Sequence, residues 1–170
     1  MNIAGINRES IVDGPGMRVT VFVSGCYHNC PGCHNPEAQN FKFGEPLTNA
    51  IFKDILDSLY NPMVSGITFS GGDPMYSAKE VLDMIHMIKL SIPNINIWVY
   101  TGFTWEEIMN GSDYWMKMLL EEIDVLVDGR FIEELKDYSQ SFRGSTNQRF
   151  IDCKKSLQYG EVIEYIEEEF

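Results

Sequence analysis

A chain of 170 residues is long enough for one domain that buries about two-thirds of its unfolded surface, and we expect a single domain over residues 1–170. Its formal net charge of -12 argues against a nucleic-acid partner, because contacts to phosphates require clustered Lys and Arg. No apolar run approaches about 18 residues and residues 1–10 do not resemble a signal peptide, so we expect no membrane partner and a cytoplasmic protein.

The first part of the chain predicts two strands that frame a turn. Residues 3–6 are compatible with a short strand, and residues 13–16, Asp-Gly-Pro-Gly, are a dense turn signal. Residues 19–23, Val-Thr-Val-Phe-Val, are β-branched or aromatic throughout, which predicts a buried strand. This second strand leads directly into a cysteine-rich loop at residues 24–36.

Three of the four cysteines lie in that loop. Glycine and proline residues loosen it, so Cys26, Cys30 and Cys33 can direct three thiolates at one point. Three thiolates can ligate three irons of a 4Fe-4S cluster and leave the fourth iron open for substrate, whereas a cluster that only carries electrons normally has four protein ligands. Two alternatives stay open: a structural zinc site completed by His34 or His28, and a disulfide, which the odd number of clustered thiols disfavours.

The segment after the cysteine loop predicts a helix followed by a strand. Residues 41–46 are expected to be a loop or a short extended piece. Thr48 is suited to cap a helix whose apolar side chains recur at helical spacing, and Pro62 marks its end. Residues 66–69 predict the next buried strand, which runs into Ser-Gly-Gly-Asp at residues 70–73.

Further strands and helices alternate in the second half. A capping-box signature at residues 77–80 predicts a helix through about Leu90, and a second signature at residues 104–107 predicts another helix. Between them, residues 95–100 predict a strand. The remaining predictions are a helix over residues 114–122, a buried strand over residues 123–127, a possible strand over residues 148–153 and an unassigned acidic segment over residues 154–170.

The alternation of strands and helices predicts βαβ units and a mostly parallel sheet. Candidate functional segments follow four strands: the cysteine loop, residues 70–73, residues 100–102 and residues 128–129. Ligands bind at the carboxyl ends of the strands in parallel α/β folds, so we expect these segments to meet there. Four such units are too few for a closed eight-stranded barrel. We therefore predict an α/β fold that forms a partial (β/α) barrel, open at one side.

Residues 70–73, Ser-Gly-Gly-Asp, are a second candidate binding element. Glycine lacks a Cβ, so Gly71 and Gly72 let the backbone approach a ligand closely. A tight strand-to-helix turn explains the same residues without any ligand. If the ligand interpretation holds, a side chain at Gly72 should obstruct the ligand and leave the cluster in place.

The C-x3-C-x2-C spacing of the cysteine loop resembles that of the radical S-adenosylmethionine enzymes. The resemblance implies that the open iron binds the amino and carboxylate groups of S-adenosylmethionine. Many members carry an aromatic residue where this chain has Gly32, and Asp73 replaces the Glu of the superfamily's Gly-Gly-Glu motif. The implied site residues are Cys26, Cys30 and Cys33 as catalytic cluster ligands, and Gly32, Cys33, His34, Gly71, Gly72 and Asp73 as cofactor contacts.

Four further segments resemble the activating proteins of anaerobic ribonucleoside-triphosphate reductase: residues 12–18, 98–102, 125–131 and 142–149. The resemblance covers about residues 8–152. It implies that a reduced cluster cleaves S-adenosylmethionine to methionine and a 5'-deoxyadenosyl radical, which takes a hydrogen atom from a glycine of the reductase large subunit. It also implies a flavodoxin or a ferredoxin as the electron donor.

Other functions compete with this one. The chain can instead activate another glycyl-radical enzyme such as pyruvate formate-lyase, act on a small molecule as in carboxydeazaguanine synthesis, or be an interaction module stabilised by zinc. Two other candidate residues, Cys153 and His86, are expected to support the fold and not to bind a ligand. Cys153 is expected to be a small buried side chain, and His86 is expected to be part of a helix.

Overall fold

The computed structural model describes residues 1–167 and shows a mixed α/β architecture. The described strands are β1 (Asn2–Ser10), β2 (Met17–Val23), β3 (Glu45–Pro46), β4 (Val64–Gly71), β5 (Asn96–Tyr100), β6 (Val125–Asp128) and β7 (Arg149–Asp152). The described helices are α1 (Asn49–Leu59), α2 (Ala78–Ser91), α3 (Trp105–Asn110), α4 (Tyr114–Glu122) and α5 (Cys153–Tyr159). None of these helices has the length and apolar character that a membrane span requires.

All described strands belong to one sheet in the order β3-β1-β2-β4-β5-β6-β7. The central strands β2, β4, β5 and β6 run parallel to one another, and β1, β3 and β7 are antiparallel additions at the two sides. Within residues 1–167, β3 and β7 do not pair with each other, so the sheet is not closed. The predicted α/β class and parallel centre are confirmed, whereas the partial barrel and the single domain stay predictions.

The central strands pack the apolar side chains of one face into the main core, whereas the opposite face of β2 and β4 also buries the polar side chains of Arg18, Thr20 and Thr68. The paired residues Val19 and Ile67, and the next pair Val21 and Phe69, are all fully buried. Helices α2 and α4 pack against each other and contribute to the same core. Every strand predicted from the sequence is present, and α4 has the predicted bounds.

All three predicted N-cap residues directly precede their helices, but only two of them make the predicted capping hydrogen bonds. Thr48 caps α1, since its hydroxyl oxygen accepts a hydrogen bond from a backbone amide of the first turn at 3.2 Å. Thr104 and Glu107 make both hydrogen bonds of a capping box at α3. Ser77 precedes α2, but its side chain makes no capping bond, because the chain enters this helix from a short 3-10 turn, Pro74–Ser77.

The segment after β7, unassigned from the sequence, packs on the sheet. Helix α5 begins after Asp152, whose carboxylate accepts a hydrogen bond from the Lys155 amide at 2.9 Å. The chain then returns along β7, where the Asp152 amide donates to the Ile163 carbonyl at 2.9 Å and the Tyr165 amide donates to the Phe150 carbonyl at 2.8 Å. These bonds cover the outer edge of β7, which would otherwise present unpaired backbone groups. The last three residues of the acidic segment lie outside the described residues.

Candidate functional site

The carboxyl ends of the central strands meet at one edge of the sheet, where a cavity of about 150 Å³ lies. The cysteine loop follows β2, the Ser-Gly-Gly-Asp turn follows β4, residues 100–102 follow β5 and residues 128–129 follow β6. All four segments contribute to the lining of the cavity. The prediction that these segments meet at one edge is therefore confirmed.

The structure brings most of the predicted site residues together. Six of them line the cavity: Cys26, Cys30, Cys33, His34, Gly71 and Gly72. The other two, Gly32 and Asp73, belong to the described residues but not to this lining. Gly32 is exposed and faces the Glu133 carboxylate, while Asp73 is buried, with 1% of its surface exposed. The predicted contacts of these two residues with a cofactor stay predictions.

The cysteine loop is shaped by backbone conformations that most residues avoid. Gly25, directly before the first cysteine, has a φ of 109°. The ring of Phe41 occupies the space beside it, 2.2 Å from where a Cβ would lie, so only glycine fits there. The amide of Cys33 donates to the carbonyl of Cys30 at 3.1 Å. This turn places the second and third cysteines, both half-buried, next to each other.

Backbone hydrogen bonds hold the loop against the turn after β4. The Gly72 amide donates to the Val23 carbonyl at 2.7 Å, and the Asp73 amide donates to the Gly25 carbonyl at 2.9 Å. The Gly25 amide in turn donates to the Ala38 carbonyl at 2.7 Å. The residue that precedes the first cysteine is therefore fixed through both its amide and its carbonyl.

Gly72 has a role that the sequence interpretation missed. A Cβ on this residue would lie 2.6 Å from the Ala38 carbonyl oxygen and 2.7 Å from the Gly25 carbonyl oxygen, both much closer than van der Waals contact. A side chain at Gly72 would first displace the backbone of the cysteine loop, so the structure argues against the expectation that the cluster would stay in place, and iron content is the test. Glycine is required here by the close approach of two chain segments.

A buried pair of side chains links the cysteine loop to the ends of β4 and β5. His28 Nε2 lies 2.7 Å from Asp73 Oδ2, and the two side chains are 4% and 1% exposed. The same Oδ2 accepts hydrogen bonds from the Thr101 hydroxyl and the Gly102 amide, both at 2.9 Å. Oδ1 accepts from the Met75 amide at 2.9 Å. An ionised carboxylate only accepts hydrogen bonds, so we assign the proton of this pair to His28 Nε2.

Sequence reasoning did not pair His28 with Asp73. The two residues are 45 positions apart, and no local periodicity relates them. The sequence indicates only that each residue follows a predicted strand. These two strands, β2 and β4, are neighbours in the sheet. Considering His28 only as a possible zinc ligand therefore missed its contact with the buried carboxylate.

The three sulfur atoms of the cysteine loop are spread more widely than one zinc ion bound by all three would allow. Among the described residues, the potential ligand atoms within 4.8 Å of one another belong to Cys26, His28 and Asp73, and the three loop cysteines do not form such a group. Two thiolates on one zinc ion lie at most about 4.6 Å apart, because each Zn–S bond is about 2.3 Å long. A cluster accommodates the wider spacing, since each thiolate binds a different iron.

Burial moves the loop thiols toward their neutral forms. It raises the pKa of Cys26 to about 11 and also raises the pKa of Cys30. A bound metal has the opposite effect, because the thiolate is the ligating form and the positive charge stabilises it. Loading the site with metal should therefore release protons.

Cys153 and His86 do not line the cavity. Cys153 is fully buried at the start of α5, as predicted, and burial strongly raises the pKa of its thiol. His86 lies in α2, as predicted, with its side chain 53% exposed and its Nε2 3.5 Å from the Glu122 carboxylate. Neither residue has a place in the site.

A larger groove of about 540 Å³ adjoins the cavity. Residues common to the groove and the cavity are His34, Asn35, Ser70, Tyr100, Phe131 and Gln148. Ile11 and Val12, which are 69% and 67% exposed, line one side, and residues 138–144 line the other. The Tyr100 hydroxyl donates to the Phe142 carbonyl at 2.5 Å, which ties this second side to the end of β5. The groove combines segments from distant parts of the chain, so sequence reasoning did not identify it.

An open α/β sheet that carries three free cysteines at the carboxyl edge of its parallel strands is the arrangement expected of an iron–sulfur protein. The comparison with protein families agrees, since the chain matches the 4Fe-4S single cluster domain family over residues 12–151. This span includes the cysteine loop and the Ser-Gly-Gly-Asp turn. The match supports the 4Fe-4S cofactor that the cysteines predicted.

Three curated relatives share the name anaerobic ribonucleoside-triphosphate reductase-activating protein. The one from Escherichia coli (strain K12) is 40% identical over 142 residues, which cover 81% of this chain and 90% of that protein. The one from Haemophilus influenzae is 36% identical over 152 residues, covering 87% and 96%. The one from Enterobacteria phage T4 is 34% identical over 151 residues, covering 88% and 92%. The chain belongs to this family of activating proteins, as the resemblance predicted.

Proposed function

We propose that this chain activates anaerobic ribonucleoside-triphosphate reductase through reductive cleavage of S-adenosylmethionine at a 4Fe-4S cluster. The observation that carries the proposal is the meeting of three free cysteines and the glycine turn after β4 in one cavity. The names of the relatives support the target, because those proteins are activators of this reductase. The partner is the large subunit of the reductase, which carries the glycine to be activated.

Cys26, Cys30 and Cys33 hold the cluster in this proposal and leave one iron open. When bound, a reduced cluster supplies the electron that cleaves S-adenosylmethionine to methionine and a 5'-deoxyadenosyl radical, which takes a hydrogen atom from a glycine of the reductase. The chain itself positions the reactants. Gly71, Gly72 and His34 line the cavity, so the backbone of the two glycines could approach the methionine end of the cofactor, and the backbone around His34 could contact its adenine.

The groove beside the cavity supports a protein segment as the substrate. Its sides include the exposed apolar residues Ile11 and Val12, and its far side is the loop over residues 138–144. Arg143 is the single arginine of the lining, and its guanidinium already donates to the Gln148 carbonyl at 2.7 Å. A groove of this composition suits an extended glycine-containing loop better than a small substrate with several negative charges.

A flavodoxin or a ferredoxin is the proposed electron donor. The outer side of the cysteine loop is open to such a protein, since Tyr27, between the first two cysteines, is 74% exposed. A donor that docks there reaches the loop without entering the groove. The electron and the glycine loop can therefore arrive from different sides.

The experiment combines the reduced protein with S-adenosylmethionine and the anaerobic reductase. We expect 5'-deoxyadenosine, methionine and a glycine-centred radical on the reductase, seen by electron paramagnetic resonance. Deuterated glycine in the reductase should collapse the hydrogen splitting of the signal. Metal and sulfide analysis of the anaerobically purified protein is the control for the cofactor.

Three results would contradict the proposal, each in a different way. A radical on pyruvate formate-lyase but none on the reductase would make the chain an activator of a different enzyme. Cleavage of S-adenosylmethionine without any protein radical would favour a small-molecule reaction. Zinc without labile sulfide would make the chain a zinc-stabilised interaction module.

A further inference from the structure

The buried pair of His28 and Asp73 lies directly behind the first cysteine of the loop. His28 Nε2 donates to Asp73 Oδ2 at 2.7 Å. The backbone amide of His28 also donates to Sγ of Cys26, at 3.4 Å. One residue therefore contacts the buried carboxylate through its side chain and a cysteine sulfur through its backbone.

We infer that Asp73 is a positioning residue, which acts through His28 to hold the peptide N–H of that residue on the sulfur of Cys26 and so raises the reduction potential of the cluster. The inference rests on the proposed function, because it takes Cys26 as a cluster ligand. Hydrogen bonds to ligand sulfurs are among the factors that set the potential of an iron–sulfur cluster. Such a bond favours the reduced state, because that state carries more negative charge on the sulfurs.

The surroundings of the carboxylate argue against direct contact with a cofactor. Asp73 is 1% exposed and does not line the cavity. Its Oδ2 already accepts hydrogen bonds from His28, Thr101 and Gly102, and its Oδ1 accepts one from the following turn. A carboxylate bound in this way fixes the cysteine loop relative to the ends of β4 and β5, and has little capacity left for a cofactor ammonium group.

The space around the imidazole leaves it one orientation. A Cβ on Gly102 would lie 2.4 Å from the His28 ring, so the absence of a side chain there makes room for the imidazole. The rings of Phe103 and Tyr76 pack against the imidazole, with centroids 4.6 and 5.4 Å away. The ring cannot turn away from Asp73 without meeting these neighbours. The side chain is therefore well suited to fix the peptide that follows Tyr27.

Two amide variants of His28 test the inference. Glutamine can place its amide nitrogen near the position of Nε2 and donate to Asp73, whereas asparagine carries the same group one methylene short. The midpoint potential of the cluster is measured by a redox titration of the full-length protein, followed by electron paramagnetic resonance. We expect His28→Gln to keep the wild-type potential. His28→Asn and Asp73→Asn should each disfavour reduction about tenfold, which is about 59 mV for one electron.

A double variant tests whether His28 and Asp73 act through the same contact, and a control variant tests the effect of replacing a different aspartate. His28→Asn combined with Asp73→Asn should shift the potential no further than the larger single change, because both act through one contact. Asp124→Asn is the control, since this carboxylate also accepts from a backbone amide, that of Ile97 at 2.8 Å, but at the opposite edge of the sheet. It should have the wild-type potential. Iron and labile sulfide are measured on every sample.

Equal potentials in the wild type, His28→Asn and Asp73→Asn at full iron content would overturn the inference. An unchanged potential with weaker S-adenosylmethionine binding in Asp73→Asn, measured by calorimetry, would make the carboxylate a cofactor ligand instead. If Asp73→Asn does not fold, the matched pair His28→Gln and His28→Asn decides the question. A wild-type protein without labile sulfide would contradict the proposed function, so the two failures are distinguishable.

Discussion

Replacing Gly72 with alanine adds one methyl group where the turn after β4 meets the cysteine loop. The new Cβ would lie 2.6 Å from the Ala38 carbonyl oxygen and 2.7 Å from the Gly25 carbonyl oxygen. Both oxygens accept backbone hydrogen bonds, from the amides of Gly25 and Asp73, so neither can recede without lengthening one of these bonds. Overpacking costs about 1–3 kcal/mol and each of the two weakened hydrogen bonds costs about 1 kcal/mol, which predicts a loss of about 3–5 kcal/mol in the free energy of unfolding.

Urea unfolding under anaerobic conditions and iron content per chain measure this effect. We expect Gly72→Ala to lose iron as well as stability, because the displaced residue, Gly25, directly precedes the first cysteine ligand. Gly5→Ala is the matched control: its Cβ would lie 3.9 Å from the Phe22 ring, an ordinary contact in the middle of β1. The predicted clash would be contradicted if Gly72→Ala kept the iron content of the control and its free energy of unfolding lay within about 0.5 kcal/mol of the control, the range of a harmless substitution.

Two further predictions concern the cluster ligands and a buried ion pair. Replacing Cys26, Cys30 or Cys33 singly by alanine should abolish the cluster. Cys153→Ala should keep the iron and the visible absorption, and iron loss in this variant alone would show that the ligands are wrongly chosen. Arg149→Met should lower the free energy of unfolding by about 3 kcal/mol, because it leaves the buried carboxylate of Asp128 without its cation; urea unfolding at neutral pH checks this, and an equally stable variant would contradict it. Arg149 also holds the pKa of Glu106 below its usual value through a side-chain hydrogen bond. The ionised Glu106 therefore stabilises the fold at pH values above the usual carboxyl pKa, and this stabilisation is lost as the pH falls through the lowered pKa. The Arg149→Met variant should lack this pH dependence.

Features of the fold that depend on neighbours along the chain were predictable from the residues alone. The apolar residues 19–23 predict a buried strand, and Thr48 predicts a helix start, because strand pattern and helix caps act within a few residues. The spacing of the loop cysteines likewise indicates a cluster site, since all its members lie within eight positions. The order of strands and helices then predicts that the functional segments meet at one edge.

Contacts between segments that are distant in sequence could be identified only in the folded chain. Gly72 appears in the sequence as a ligand-binding glycine, but in the fold it faces the backbone of Ala38 and Gly25. Asp73 appears as a cofactor contact, but in the fold its carboxylate binds His28, 45 positions away. Both contacts arise because β2 and β4 lie side by side, which brings the two loops after them together. Local patterns carry no information on which distant backbone atom or side chain occupies that shared space, so packing between strand ends had to be seen in three dimensions.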